Sequence, residues 1–263
     1  MSGSALIGFT GFVGGTLHRA GGFDLLINSK NTNDLRGGSF DLVICAGVSA
    51  AKWLANQQPE NDRNAIASIR DALDTTEVKE LILISTIDVY SDPSASSDEN
   101  DSIDASRNHP YGRHRFELER WVADRFRKTR IIRLPALFGD GLKKNVIFDL
   151  LHGNQTEKIN PLSVFQWYPL RRLVSDIERI RASDIELINL FPEPIQTAEI
   201  QDAFFPGAKV GPRTTPAPAY GLRTRYSQVF GGPPGYMLDR ITVLGELAGF
   251  IAQERNTMGR FRC

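Results

Sequence analysis

The stretch ALIGFTGFVGGTLHRA, Ala5 to Ala20, narrows the possible folds more than any other part of the chain. A short apolar strand runs into glycines at positions 8, 11 and 14, and a helical pattern follows at once. Glycines in such a turn let the backbone come close to a pyrophosphate, and the helix start offers unpaired N–H groups to it. The G-x-x-G-x-x-G spacing between strand and helix points to dinucleotide binding, with Gly8, Thr10, Gly11, Phe12, Val13 and Gly14 as the contacting segment. Three spaced glycines alone would equally suit a tight turn, so the rest of the chain has to agree.

It does so through alternation. ALIG (5–8), FDLLIN (23–28), FDLVICAG (40–47), ELILIST (80–86) and TRIIRLP (129–135) are continuous apolar runs, as strands buried on both faces should be. Helical spacing separates them in FVGGTLHRA, PENDRNAIASIRDAL and PYGRHRFELERWVADRF. This order predicts an α/β fold, a doubly wound parallel Rossmann sheet. After Phe138 the pattern changes. Helices are expected near 143–152 and 169–182, a strand at 185–190, then many prolines before a last helix at 236–255. We read residues 1–138 as the dinucleotide-binding domain and 139–263 as a small C-terminal substrate-facing lobe, partly interleaved with the sheet.

Charge and cysteine usage limit the partners. The 31 Lys and Arg balance 31 Asp and Glu, so no long-range field draws the chain to nucleic acid or to an anionic membrane. The two cysteines, Cys45 and Cys263, make a disulfide framework improbable and favour a reducing cytoplasm. The start reads as neither signal peptide nor membrane span. The four histidines are scattered without metal-ligand spacing, and no metal is expected.

Cofactor choice should be written at the end of the second strand, where a carboxylate would bond the adenosine ribose and a cation would suit a phosphate on it. The chain offers Asn28, Ser29 and Lys30 there, with Arg36 further on and no carboxylate before Asp34. NADP is therefore preferred, with NAD as the alternative.

Taken together, GFTGFVGG, ICAG, STIDVY, HPYGRHRFELE and RLPALFGDG resemble the extended short-chain dehydrogenase/reductase family, the branch of nucleotide-sugar epimerases, dehydratases and ketoreductases. The likeness covers residues 4 to 150 well. It implies a catalytic group of Thr86, Tyr111 and the residue four positions after that tyrosine. It also implies cofactor contacts from Ala46, Gly47, Ser85, Tyr111, Arg115 and the segment Pro135, Ala136 and Leu137. A homodimer formed through the helices near 59–74 and 110–127 is implied as well.

One position departs from the family pattern: Arg115 stands where lysine is usual. A tyrosine can pass a proton near neutral pH only if its pKa, about 10, is pulled down, and a fixed cation does that. Arg115 shares the helical face of Tyr111, Leu118, Val122 and Phe126, so it should be buried on the cofactor side. The competing role is an ion pair with Glu119 on the same helix. Dehydratases of the family carry an Asp-Glu pair where this chain has Ile87 and Asp88, which disfavours sugar dehydration. Asp88 remains a substrate contact, as do Asn145, Gln166, Tyr168 and Arg172 in the later lobe. The expected function is an NAD(P)-dependent oxidoreductase or epimerase acting on a nucleotide-sugar or similar carbonyl compound. The alternative is a catalytically weakened NADP-binding regulatory or scaffold protein.

Overall fold

The computed structural model describes residues 3–260, the side chain of Arg260 excepted, so Cys263 lies outside the described residues. In chain order the elements are β1 (Gly3–Ile7), α1 (Phe12–Ala20), β2 (Leu25–Ile27), β3 (Ser39–Cys45), α2 (Lys52–Gln57), α3 (Pro59–Asp74), β4 (Glu77–Thr86), α4 (Pro110–Arg125), β5 (Thr129–Leu134), β6 (Ala136–Phe138), α5 (Val146–His152), β7 (Val164–Pro169), α6 (Leu173–Arg181), β8 (Leu187–Asn189), β9 (Pro194–Gln196), α7 (Thr197–Phe204), α8 (Ser227–Phe230) and α9 (Arg240–Arg260).

Two compact units divide the chain. The first holds Met1–Asp92, Asn100–Leu134 and Val174–Asn189; the second holds Pro93–Glu99, Pro135–Leu173 and Leu190–Cys263. The boundary expected after residue 138 falls at Leu134 instead, and the chain returns to the first unit for most of α6 and for β8. The reason is sheet pairing: β8 lies parallel to β5, with Ile131 opposite Leu187.

A parallel sheet of order β2-β1-β3-β4-β5-β8 forms the first unit, with helices packed against it in the Rossmann manner. Its strands are apolar because they are buried; Leu81, Ile82 and Leu83 are at most 1% exposed. Against one face, Ile66, Ile69 and Leu73 of α3 and Leu118 and Val122 of α4 join Ala5, Ile7, Val43, Cys45, Leu81 and Leu83 in one apolar core. Each such Leu or Ile contributes about 1.5–3 kcal/mol on burial. Both helices start where the sequence says they should: Pro59 and Pro110 occupy the first turn, and His109 caps α4 by accepting the Gly112 N–H at Nδ1 (3.1 Å). The chain goes from β1 to β2 on one side and then to β3 on the other. That reversal opens a crevice at the carboxyl ends of β1 and β3.

In the second unit β6 pairs parallel with β7, and β7 antiparallel with β9. The segment VFQWYP forms strand β7, with Gln166, Trp167 and Tyr168 all buried. The last helix begins at Arg240 instead of Tyr236, where Asp239 accepts the Thr242 N–H (2.6 Å). No helix among the described residues is long and apolar enough to cross a membrane.

Candidate active site

Two glycines of the β1–α1 turn are demanded by the fold, and one is not. A Cβ on Gly8, whose φ is +90°, would lie 2.4 Å from the Ala46 carbonyl oxygen; one on Gly14 would lie 2.0 Å from the Gly8 oxygen. A Cβ on Gly11 would press only on the Gly8 oxygen, at 3.3 Å, a tight contact but far milder than the other two. Gly11 is also the residue before α1 and brings no side chain to cap it. The donors at this helix start therefore remain available to an anion, with Thr10 exposed and Phe12 and Val13 half-buried around them. A dinucleotide pyrophosphate fits these residues. Ala46 and Gly47 close the other side of the crevice, the Ala46 N–H bonding the Ile7 carbonyl at 2.9 Å.

At the end of β2, Asn28 folds the turn: its Oδ1 accepts the Lys30 N–H, and its own N–H donates to Asn31 Oδ1, both at 2.8 Å. Ser29 and Lys30 are exposed. Arg36 is committed elsewhere, donating to Asn33 Oδ1 (3.0 Å) and to the Asp71 carbonyl near the end of α3 (3.1 Å). That leaves Lys30 as the cation of this turn.

Thr86, Tyr111 and Arg115 come together at the carboxyl end of β4. The Tyr111 phenol is buried, with the Arg115 guanidinium carbon 3.8 Å from its ring centroid and the Thr86 side chain beside it. Thr86 Oγ1 also accepts the Asp88 N–H (3.2 Å). Backbone fit is close here: a Cβ on Gly112 would lie 2.0 Å from the Asp88 carbonyl oxygen, and Asn108 Nδ2 donates to the Asp88 and Val89 carbonyls. The Tyr111 N–H donates to Asn56 Oδ1 of α2 (3.0 Å).

Arg115 is buried, as its helical face requires, but its partner is not Glu119. Its Nη1 donates to Asp62 Oδ2 at 2.6 Å and its Nη2 to Asp62 Oδ1 at 2.8 Å, a two-pronged pair with α3. The same nitrogens donate to the Tyr111 carbonyl (3.1 Å) and the Ser49 carbonyl (2.6 Å). His114 Nδ1 lies 2.8 Å from Asp62 Oδ2. Burial pushes the Asp62 carboxyl up, yet the hydrogen bonds and charges of Arg115 and His114 outweigh it and hold the group below the ordinary carboxylate range. The Tyr111 phenol goes the other way. Burial, aided by the Asp88 carboxylate, raises it above its usual value, and the pull of Arg115 and Thr86 does not compensate.

Glu119 is instead gripped by Arg133 of β5, whose Nη2 donates to Oε2 at 2.6 Å, and it accepts from the Ser85 hydroxyl at 2.5 Å. The Ser85 side chain, expected at the cofactor, is therefore spent on Glu119. Asp88 pairs with Lys52 of α2 at 2.8 Å. His109 sits beside Tyr111, ring centroids 6.2 Å apart. Burial first, then the Lys52 charge, hold its imidazole below the usual histidine value. Because its Nδ1 accepts from Gly112, the proton of the neutral ring is on Nε2.

Pro135, Ala136 and Leu137 begin the Pro135–Leu173 segment of the second unit, directly after β5. Of the four later substrate candidates, two leave the set. Gln166 donates both amide protons, to the Pro192 and Leu222 carbonyls, and accepts from the Leu222 N–H. Tyr168 is fully buried. Asn145 caps α5 through Oδ1 and donates to the Leu137 carbonyl. Arg172 pairs with Glu246 of α9 at 3.3 Å and keeps a quarter of its side chain exposed.

Sequence reasoning missed Asp62, Lys52 and His109. Asp62 had a signal: it stands at helical spacing with the buried Ile66, Ile69 and Leu73. Among the described residues no group of three or more metal-ligating side chains forms a metal site.

No protein-family model matches the chain, and no curated protein sequence does either. Solved structures do. MoeE5 in complex with UDP-glucose and NAD aligns over 98% of this chain and all of its own, with TM-score 0.77 and 16% identity. UDP-N-acetylglucosamine 4-epimerase from Methanobrevibacter ruminantium, in complex with UDP-N-acetylmuramic acid, aligns over 97% of this chain and 99% of its own, with TM-score 0.74 and 12% identity. The dTDP-4-dehydrorhamnose reductase from Bacillus anthracis, in complex with NADP, aligns over 96% and 99%, with TM-score 0.74 and 14% identity. Likeness at this identity shows the fold, a Rossmann-like α/β architecture shared with nucleotide-sugar enzymes.

Proposed function

We propose that this chain is a nicotinamide-dependent oxidoreductase of the extended short-chain dehydrogenase/reductase type, acting on a nucleotide-activated sugar or similar carbonyl compound. One observation carries the reading: a buried phenol, Tyr111, lies beside a hydroxyl and a guanidinium at the carboxyl end of β4, in the same unit as the glycine cradle. The nucleotide sugars and nicotinamide cofactors in the similar structures support it.

A nicotinamide dinucleotide bound at the crevice would supply or take up hydride. The chain's own residues do the rest. Phe12 and Val13 offer backbone N–H groups to the pyrophosphate, and Lys30 favours a phosphate on the ribose, hence NADP over NAD. The Thr86 hydroxyl holds the reacting oxygen, and Tyr111 gives that oxygen its proton or takes it away. Arg115 fixes the phenol ring and the Ser49 loop. Asp88, Asn145 and Arg172 are the remaining substrate contacts in this reading. The homodimer and the reducing cytoplasm implied by the sequence belong to it too.

Fluorescence titration with NADPH and NADH, followed by turnover with UDP-linked sugars and dTDP-linked keto sugars, tests the proposal. Binding of a nicotinamide cofactor with turnover of at least one such substrate is expected; absence of cofactor binding overturns it. A second reading, a nucleotide holder without catalysis, is favoured by the pairing of Arg115 with Asp62. It would be marked by tight NADPH binding and no turnover across the panel.

A further inference from the structure

Arg115 has the burial and the position that a cation beside Tyr111 needs, but its charge is already partly offset. Asp62 meets both terminal nitrogens of the guanidinium, at 2.6 and 2.8 Å, and is itself 6% exposed. The Ser49 and Tyr111 carbonyls take further N–H bonds from the same two nitrogens, so at most one of the five guanidinium donors, the Nε–H, is left. The guanidinium carbon lies 3.8 Å from the Tyr111 ring centroid, over the face of the ring. Asp62 therefore offsets part of the guanidinium charge felt by Tyr111, whose remaining pull on the phenol does not overcome burial, and guanidinium does not release a proton in proteins.

We propose that Asp62 is a positioning residue that tunes the candidate active site: by clamping Arg115, it offsets the guanidinium charge beside Tyr111 and keeps the phenol protonated to higher pH, the form that gives a proton to a carbonyl oxygen. The inference rests on the oxidoreductase reading and deepens it to carbonyl reduction. In that reaction the carbonyl π bond breaks, hydride from a reduced nicotinamide dinucleotide forms the new C–H bond, and the Tyr111 proton forms the new O–H bond. The cofactor is oxidised, the carbonyl carbon is reduced, and the phenolate recovers its proton from water.

The other groups around the phenol fit that assignment. From the β4 end come the Thr86 hydroxyl and the Asp88 carboxylate, whose charge opposes loss of the phenol proton. Lys52 of α2 is tied to Asp88 at 2.8 Å. His109, at the start of α4, is held toward its neutral form by burial and by Lys52. His114 of α4 rests on Asp62. Each of the two cations among these groups, Arg115 and Lys52, thus has a carboxylate partner that offsets part of its charge.

The test reads the tyrosine directly, in the full-length protein without cofactor, by NMR with tyrosine labelled with 13C at Cζ. The chain has six tyrosines, and Tyr111→Phe assigns the signal. In the wild type, a Tyr111 titration midpoint at or above about 10 supports the proposal, and one below that overturns it. In Asp62→Asn the freed guanidinium charge should lower the midpoint by about one pH unit or more, and the pH profile of alcohol oxidation should move down with it. An unmoved midpoint overturns the proposal. If Asp62→Asn does not fold, the paired change Asp62→Leu with Arg115→Met removes both charges. A midpoint within about half a unit of wild type then supports the clamp, and a rise of about one unit or more overturns it. The function itself fails separately: without NADPH or NADH binding the oxidoreductase reading falls, whatever Tyr111 does.

Discussion

The guanidinium carbon of Arg115 lies 3.8 Å from the centroid of the Tyr111 ring, stacked over its face while both nitrogen ends reach Asp62. Arginine suits this place because its planar group can stack and form a two-pronged pair at once, which an ammonium cannot. The same geometry makes the pair costly to break from one side.

Arg115→Ala is expected to destabilise the fold by about 3–5 kcal/mol, because it leaves the Asp62 carboxylate buried without its cation. Changing Asp62 to Leu and Arg115 to Met together should cost less than Arg115→Ala alone, since neither charge is then stranded. Urea denaturation at pH 7 measures both. Equal or greater loss in the double variant would remove the pair from this account.

Two ion pairs made by α4 should differ sharply. Glu119→Ala strands the Arg133 guanidinium, 3% exposed, and is expected to cost about 3–5 kcal/mol. Glu117→Ala breaks a pair with Arg63 in which both side chains are nearly half exposed, and should cost under about 1 kcal/mol. Thermal melts of the two variants side by side check the contrast.

The glycine turn separates folding from binding. Gly14→Ala gains up to about 1 kcal/mol in helix propensity but drives a Cβ to 2.0 Å from the Gly8 oxygen, a clash costing about 1–3 kcal/mol. Its melting temperature should fall. Gly11→Val, whose Cβ would press on the Gly8 oxygen at 3.3 Å, should lose less stability than Gly14→Ala, while cofactor binding weakens at least tenfold by fluorescence titration.

Acid should destabilise the first unit. The Asp62 and Glu80 carboxyls are both held below their ordinary values of 3.8 and 4.5; burial works against this, and the cations of Arg115 and His114, or of Arg130, Arg181 and Lys128, prevail. A depressed folded-state value means that the unfolded chain binds protons first. Their stabilisation is therefore complete above about pH 5 and lost as pH falls through the folded-state values. Urea midpoints at pH 7, 5 and 3 should be similar for the first two and clearly lower for the last.

The sheet was legible because parallel strands are buried on both faces: the runs at 40–47, 80–86 and 129–135 admit few other readings. The glycine turn and the position of Tyr111 were legible because the backbone geometry there restricts residue type. Asp62 was not identified, though its helical spacing with Ile66 and Ile69 pointed inward, because a carboxylate in an apolar stripe reads as surface until its cation is known. Arg115 and Asp62 stand 53 positions apart, a pairing that no local pattern encodes. In the second unit, Gln166 and Tyr168 resembled substrate contacts because polar side chains in a short strand look the same whether their partners are ligand or backbone. Only the bonds to Pro192 and Leu222 decide it for Gln166.

The central claim is that Tyr111 is the proton donor of a nicotinamide-dependent reaction. Side-by-side assay of wild type and Tyr111→Phe tests it most directly, with NADPH affinity and keto-sugar turnover measured on the same preparations. The account predicts unchanged affinity within about threefold and turnover reduced by at least about a hundredfold, the scale of a lost general acid. Retained turnover in Tyr111→Phe would contradict it.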